Sequence, residues 1–166
     1  MGDSTTTLLT KIIADFPAAR ARLGARVSEE FAQLEVGKPV SVRSLATFDP
    51  NVTRPLSRMP KSRFEFASKV LNFHEEWLAA DAMPTAMRKK SVRSTHLSLR
   101  NHWEGSAPML FPDKDLGLFS FTRGVPEDLV YLVWKDNQDE PELWKYSGMD
   151  SLVFENLDQL LQWHLT

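Results

Sequence analysis

The chain of 166 residues is 42% hydrophobic and 25% charged with a net charge of −2, the balance of a folded globular protein rather than a collagen-like, low-complexity or disordered one. Its length suffices for one domain with a sizeable core, and the absence of cysteine excludes a disulfide framework, a thiolate nucleophile and a Cys-based zinc site. The charge is unevenly spread: residues 1–110 hold 16 Lys+Arg against 11 Asp+Glu and residues 111–166 hold 4 against 11, which argues against nucleic acid on the acidic last third.

Leu8, Leu9, Ile12, Ile13 and Phe16 fall on one face of a helix, with Thr5, Thr6 and Thr7 as candidate caps and Pro17 expected to break or kink it. A short helix is expected over Ser28 to Glu35, with Ser28 as N-cap, Phe31 and Leu34 pointing inward, and Gly37 and Pro39 closing it. Lys38 to Arg63 reads as loop with short strands near Val40-Ser41-Val42 and Leu45, interrupted by Asp49-Pro50-Asn51, Pro55 and Pro60. Its basic end, Arg54 to Arg63, is expected to be exposed and kept from helix by its prolines. Phe66, Val70, Phe73, Trp77 and Leu78 then predict a longer helix over residues 64–80, ended by Met83-Pro84. A second basic tract follows from Arg88 to Arg100.

Beyond it the period shortens to two. Leu97 and Leu99 alternate with polar residues, as do Leu118-Phe119-Ser120-Phe121-Thr122, which suits strands with one buried face. Leu129 to Trp134 is apolar on both faces and reads as a central strand, and Leu143 to Tyr146 as its antiparallel partner across the polar connection Lys135 to Pro141. Asn156 and Gln159 form a capping box ahead of a closing helix with Leu157, Leu160, Leu161 and His164 on one face. The expected fold is one α+β domain over residues 1–166, with an antiparallel or mixed sheet in the C-terminal half flanked by N-terminal, central and C-terminal helices.

Motifs of catalysis are missing. His74-Glu75-Glu76 begins like a zinc-protease helix, but the second histidine would fall on Leu78. His96 and His102 would share a strand face without a third ligand, and His164 reads as a core-edge residue making one hydrogen bond. Neither a Gly-x-Ser-x-Gly nor a phosphate-binding glycine loop is present. Asp113 with Asp115, or the acids from Asp139 to Glu142, read first as solvated loops and only second as acid–base or cation sites. No cofactor, no metal and no catalytic residue is therefore expected. The missing leader and the lack of an apolar run of about 18 residues predict a cytoplasmic chain with no membrane span. The start Met1-Gly2-Asp3 fits a myristoylation pattern only loosely.

What stands out is a set of aromatics beside acids on one predicted hairpin. Trp134 and Trp144 flank Asp136, Asp139, Glu140 and Glu142, and together these six are the candidate partner-binding residues. Tyr131, Trp144 and Tyr146 read first as core between sheet and helices, with polar tips reaching water, while Trp134 at the strand end serves equally well as core or contact.

The order of elements resembles the SUKH superfamily of Smi/Knr-type and bacterial toxin-immunity proteins. The stretch Val27-Ser28-Glu29-Glu30-Phe31 through Gly37-Lys38-Pro39 is similar to its early Ser-capped helix, and Pro112 to Phe121 to the turn and strand that open its sheet. Leu129 to Trp134 looks like its strand with a Val-Tyr pair, and Ser151 to Leu165 like its closing strand, cap and Leu-rich helix. Asp49-Pro50-Asn51 stands where the family often has Asn-Gly, and residues 52–95 match nothing in it. The resemblance implies a non-catalytic α+β fold that binds and neutralises a cognate toxin domain, often a nuclease. The alternative is a nucleic-acid-associated protein using segments 54–63 and 88–100.

Overall fold

Leu9, Ile12 and Phe16 are the buried positions of α1 (Ser4–Leu23), on the face that the sequence pattern predicts. In the computed structural model, which describes residues 3–26, 29, 32–136 and 138–166, this helix does not stop at Pro17 but continues to Leu23. Pro17 is exposed, and its neighbour Phe16 stacks on Phe73 with ring centroids 4.2 Å apart, which holds the chain in place across the missing N–H. Asp3, not a threonine, takes the N-cap position. Thr7 bonds back to the Asp3 carbonyl, and the buried Thr5 donates to Asp158 at 2.6 Å.

The expected helix over Ser28 to Glu35 has its Ser28 cap and Phe31 outside the described residues, and its last predicted residue opens a strand, β1 (Glu35–Val36). The proline-interrupted segment supplies a separate hairpin, β2 (Ser44–Ala46) with β3 (Thr53–Pro55). Two corrections follow. Arg58 to Arg63 is not an exposed loop: it opens α2 (Arg58–Phe66), because Pro60 lies in the first turn, where its missing N–H costs no bond. The helix expected over residues 64–80 ends at Phe66 and gives way to β4 (Val70–Leu71) and β5 (Glu75–Trp77). Asn72 decides this: its side-chain oxygen accepts from the backbone N–H groups of His74 and Glu75, closing a turn that puts Val70 opposite Trp77. A three-to-four spacing of apolar residues thus also fits two short strands folded back on each other.

Met83-Pro84 starts rather than ends a helix, α3 (Met83–Arg88), with the proline again in the first turn. The predicted strand at Leu97 and Leu99 is instead part of α4 (Lys90–His102), whose buried residues Val92, His96 and Leu99 keep a helical period, followed by α5 (Ala107–Leu110). His96 and His102 therefore do not share a face. The strands of the last third stand where expected: β6 (Leu116–Thr122), β7 (Val125–Val133), β8 (Glu142–Ser147) and β9 (Asp150–Phe154), then α6 (Leu157–His164). Asn156 caps α6 by accepting from the Gln159 N–H, and Gln159 reaches back to the Glu155 N–H.

Seven strands form one antiparallel sheet in the order β1-β4-β5-β6-β7-β8-β9, so the fold is α+β, with its long strands in the C-terminal half. Residues 129–133 of β7 are buried throughout, as a central strand requires. The side of the sheet bearing Tyr131 and Tyr146 is covered by α4 and α5, through His96 to the Tyr131 hydroxyl and from the Ala107 N–H to the Tyr146 hydroxyl. The side bearing Lys145 is covered by α6, which carries α1.

Candidate functional site

The β7–β8 hairpin separates its six candidate residues. Trp134 is 4% exposed, and its ring lies where a Cβ on Gly117 would meet it at 3.0 Å, so the glycine makes room for a core tryptophan. Arg54 pairs with Asp115 and lies over the Trp134 ring at 6.0 Å, closing that end of the core. Trp144 is half-buried against Phe111 and donates its indole N–H to Glu142 at 2.8 Å. Glu142 also pairs with Lys135 at 2.7 Å, and Asp136 is exposed.

Glu140 has a different task. One carboxylate oxygen accepts from the Ser57 hydroxyl at 2.8 Å and the other from the Met59 N–H at 3.1 Å, so the hairpin loop caps α2, which has no side-chain cap of its own. A carboxylate at this helix end also faces the positive pole of the dipole. The result is an open depression of about 540 Å³ lined, among the described residues, by Asp139, Glu140, Glu142 and Glu155 with Met59, Gln138 and Asn156; Lys135 balances one of the four acids, Glu142. Asp139 and Glu155 are exposed there, while Glu140 and Glu142 are fixed by their partners. Glu155 escaped the sequence reading because it stands outside the hairpin, directly before the α6 cap.

A second charged group lies inside the molecule. Glu75 has no exposure; it pairs with Lys145 at 2.7 Å and accepts from Trp77 Nε1 at 2.8 Å and the Ser120 hydroxyl at 3.1 Å. Burial alone would push its carboxyl up, but the His164 ring, 3.4 Å away, and Lys145 outweigh it and hold it at about 2. His164 faces inward, its side chain 1% exposed, and neither ring nitrogen makes an aligned hydrogen bond. With both oxygens engaged and no access, Glu75 is a structural ion, not an acid or base for a substrate.

The basic tracts also separate. In the first, Arg54 is paired with Asp115, Lys61 lies 3.8 Å from Glu65, and Arg63 is fully buried. In the second, Arg88, Arg93 and Arg100 converge on a cleft between α3, α4 and the β2–β3 hairpin. At its base His96 stacks on Phe48 at 4.1 Å and bridges the Tyr131 hydroxyl (3.0 Å) and Asp113 (2.8 Å), while Arg100 holds Asp113 at 2.6 Å. Burial lowers the His96 pKa and raises that of Tyr131; the Asp113 carboxylate can only accept, so it takes Nε2–H and leaves Nδ1 of the neutral ring to accept from the Tyr131 hydroxyl. Asp113 and Asp115 are thus each committed to an arginine.

Among the described residues no group of three His, Cys, Asp or Glu side chains is placed to hold a metal ion, and no helix is long and apolar enough to cross a membrane. No family model, curated protein or solved structure matches this chain.

Proposed function

We propose that this chain is a SUKH-like immunity protein of the cytoplasm, which neutralises a basic, nuclease-type toxin domain by binding it directly and performs no catalysis. The observation that carries this reading is the depression lined by four carboxylates, of which Glu142 alone is paired with a cation among the described residues. Glu140 and Glu142 are held in place by Ser57, Met59, Trp144 and Lys135, so a basic partner meets a preformed acidic surface rather than a mobile loop. The unbalanced acids of the last third add long-range attraction. The order of turn, strands and capped helix at Pro112 to Leu165 supports the family reading. Nucleic-acid binding by both basic tracts has less support, because Arg54 and Arg63 are used inside the molecule.

The deciding experiment measures association with the toxin domain encoded beside this chain. Asp139→Lys combined with Glu155→Lys, two exposed changes, should slow association about tenfold at low salt, with the difference shrinking as salt is raised. An unchanged association rate would remove the depression as the docking surface, and the absence of any complex would remove the immunity reading.

A further inference from the structure

The cleft on the other side of the sheet is a ligand site by its own geometry. Arg93, His96, Leu97 and Arg100 follow the three-to-four spacing that places residues on one face of α4, and all four line the cleft. Its opposite wall is the β2–β3 hairpin from Ala46 to Thr53, and its volume is about 480 Å³. That lies within the ~300–1,000 Å³ of sites for small organic ligands, and a free phosphate would occupy little of it.

The polar groups of the cleft fall into two sets. Arg100, His96 and Asp113 bind one another, Arg100 also donates to the Pro108 carbonyl at 2.7 Å, and the Thr47 hydroxyl donates to the carbonyls of Asp49 and Val52. These form a rigid floor. In contrast, the side chains of Arg88, Arg93 and Thr53 make no hydrogen bond or ion pair among the described residues, and all three are exposed at the cleft. Two guanidinium groups and a hydroxyl at one opening suit a phosphate group.

The remaining lining is apolar. Leu97 is 50% exposed although it sits in a concave wall, with Phe48, Val52, Pro84 and Met87 around the same space. A leucine open to water in a cleft favours a ligand with a flat or apolar body. Asp49 and Asp113 line the cleft together with Arg88, Arg93 and Arg100, a charge balance that suits one phosphate rather than a triphosphate. We infer that this cleft binds a nucleoside monophosphate, with Arg88 and Arg93 on the phosphate and the base against Leu97 and Phe48.

Calorimetric titration of the full chain with AMP, inorganic phosphate and a short single-stranded oligonucleotide tests this directly. AMP should bind at one site per chain and more tightly than inorganic phosphate. Arg93→Glu and Arg88→Glu, both at exposed positions without internal partners, should each weaken AMP about tenfold or more while leaving the thermal midpoint unchanged. Leu97→Ala should weaken AMP and leave phosphate binding as it was. Absence of AMP binding, equal binding of inorganic phosphate, preference for the oligonucleotide, or indifference of AMP to both arginine changes would each overturn the assignment. The residues changed here do not line the acidic depression, so this test stands or fails independently of the immunity reading.

Discussion

Arg63 is a costly residue to bury. It is 1% exposed, none of its guanidinium nitrogens has a hydrogen-bond partner among the described residues, and its guanidinium lies over the rings of Phe64 at 4.1 Å and Phe119 at 5.6 Å. Burial pushes its pKa down to about 9, the mark of a charge that the surroundings do not solvate. Arg63→Met should therefore stabilise the fold by about 1–4 kcal/mol, as replacement of buried charges by apolar side chains of similar volume often does, and urea unfolding measures it. Lys145→Met has the opposite sign. It strands the Glu75 carboxylate in the core and should cost about 3–5 kcal/mol. Glu75 also sets the acid limb: its pKa of about 2 lies below the ordinary 4.5, so its contribution is complete above 4.5 and is lost as pH falls toward 2. Stability measured across that window should fall more steeply in the native chain than in Glu75→Gln. His96 adds to the same trend at milder pH, since its lowered pKa makes its protonation on unfolding favourable below about 6.5.

At the level of elements, Glu140 links the hairpin to α2, and Glu140→Ala should lower stability by about 1 kcal/mol through loss of the cap, seen as a lower urea midpoint. What sequence reading recovers here depends on whether a local pattern has one structural solution. Leu118 to Thr122, Leu129 to Trp134 and the Asn156–Gln159 box each have one, and β6, β7 and α6 stand where they were expected. The residues from Phe66 to Leu78 have two solutions. The choice between them is made by the Asn72 turn and by pairing of β5 with β6, a contact 45 positions along the chain in the case of Ser120 and Glu75. Prolines misled for a related reason: Pro60 and Pro84 end helices when read as breakers, yet each sits in a first turn, and Pro17 is carried inside a helix by the packing of Phe16. In the acidic depression, Asp139, Glu140 and Glu142 were legible because they are neighbours in the chain, whereas Glu155 joins them only through the fold.

On the scale of the whole molecule, α1 and α6 come from opposite ends of the chain and pack together, with Thr5 and Asp158 separated by 153 residues. Strands β6 to β9, by contrast, each pair with the next strand in the chain and are joined by short connections. Such neighbour-to-neighbour strands close small loops and assemble quickly, while the contact between the two terminal helices pays for the longest loop in the molecule. During synthesis α1 is made well before α6, the helix that packs on its apolar face. The part of Leu9, Ile12 and Phe16 that packs on α6 therefore stays open to solvent, or to a chaperone, until residues 157–164 have been made.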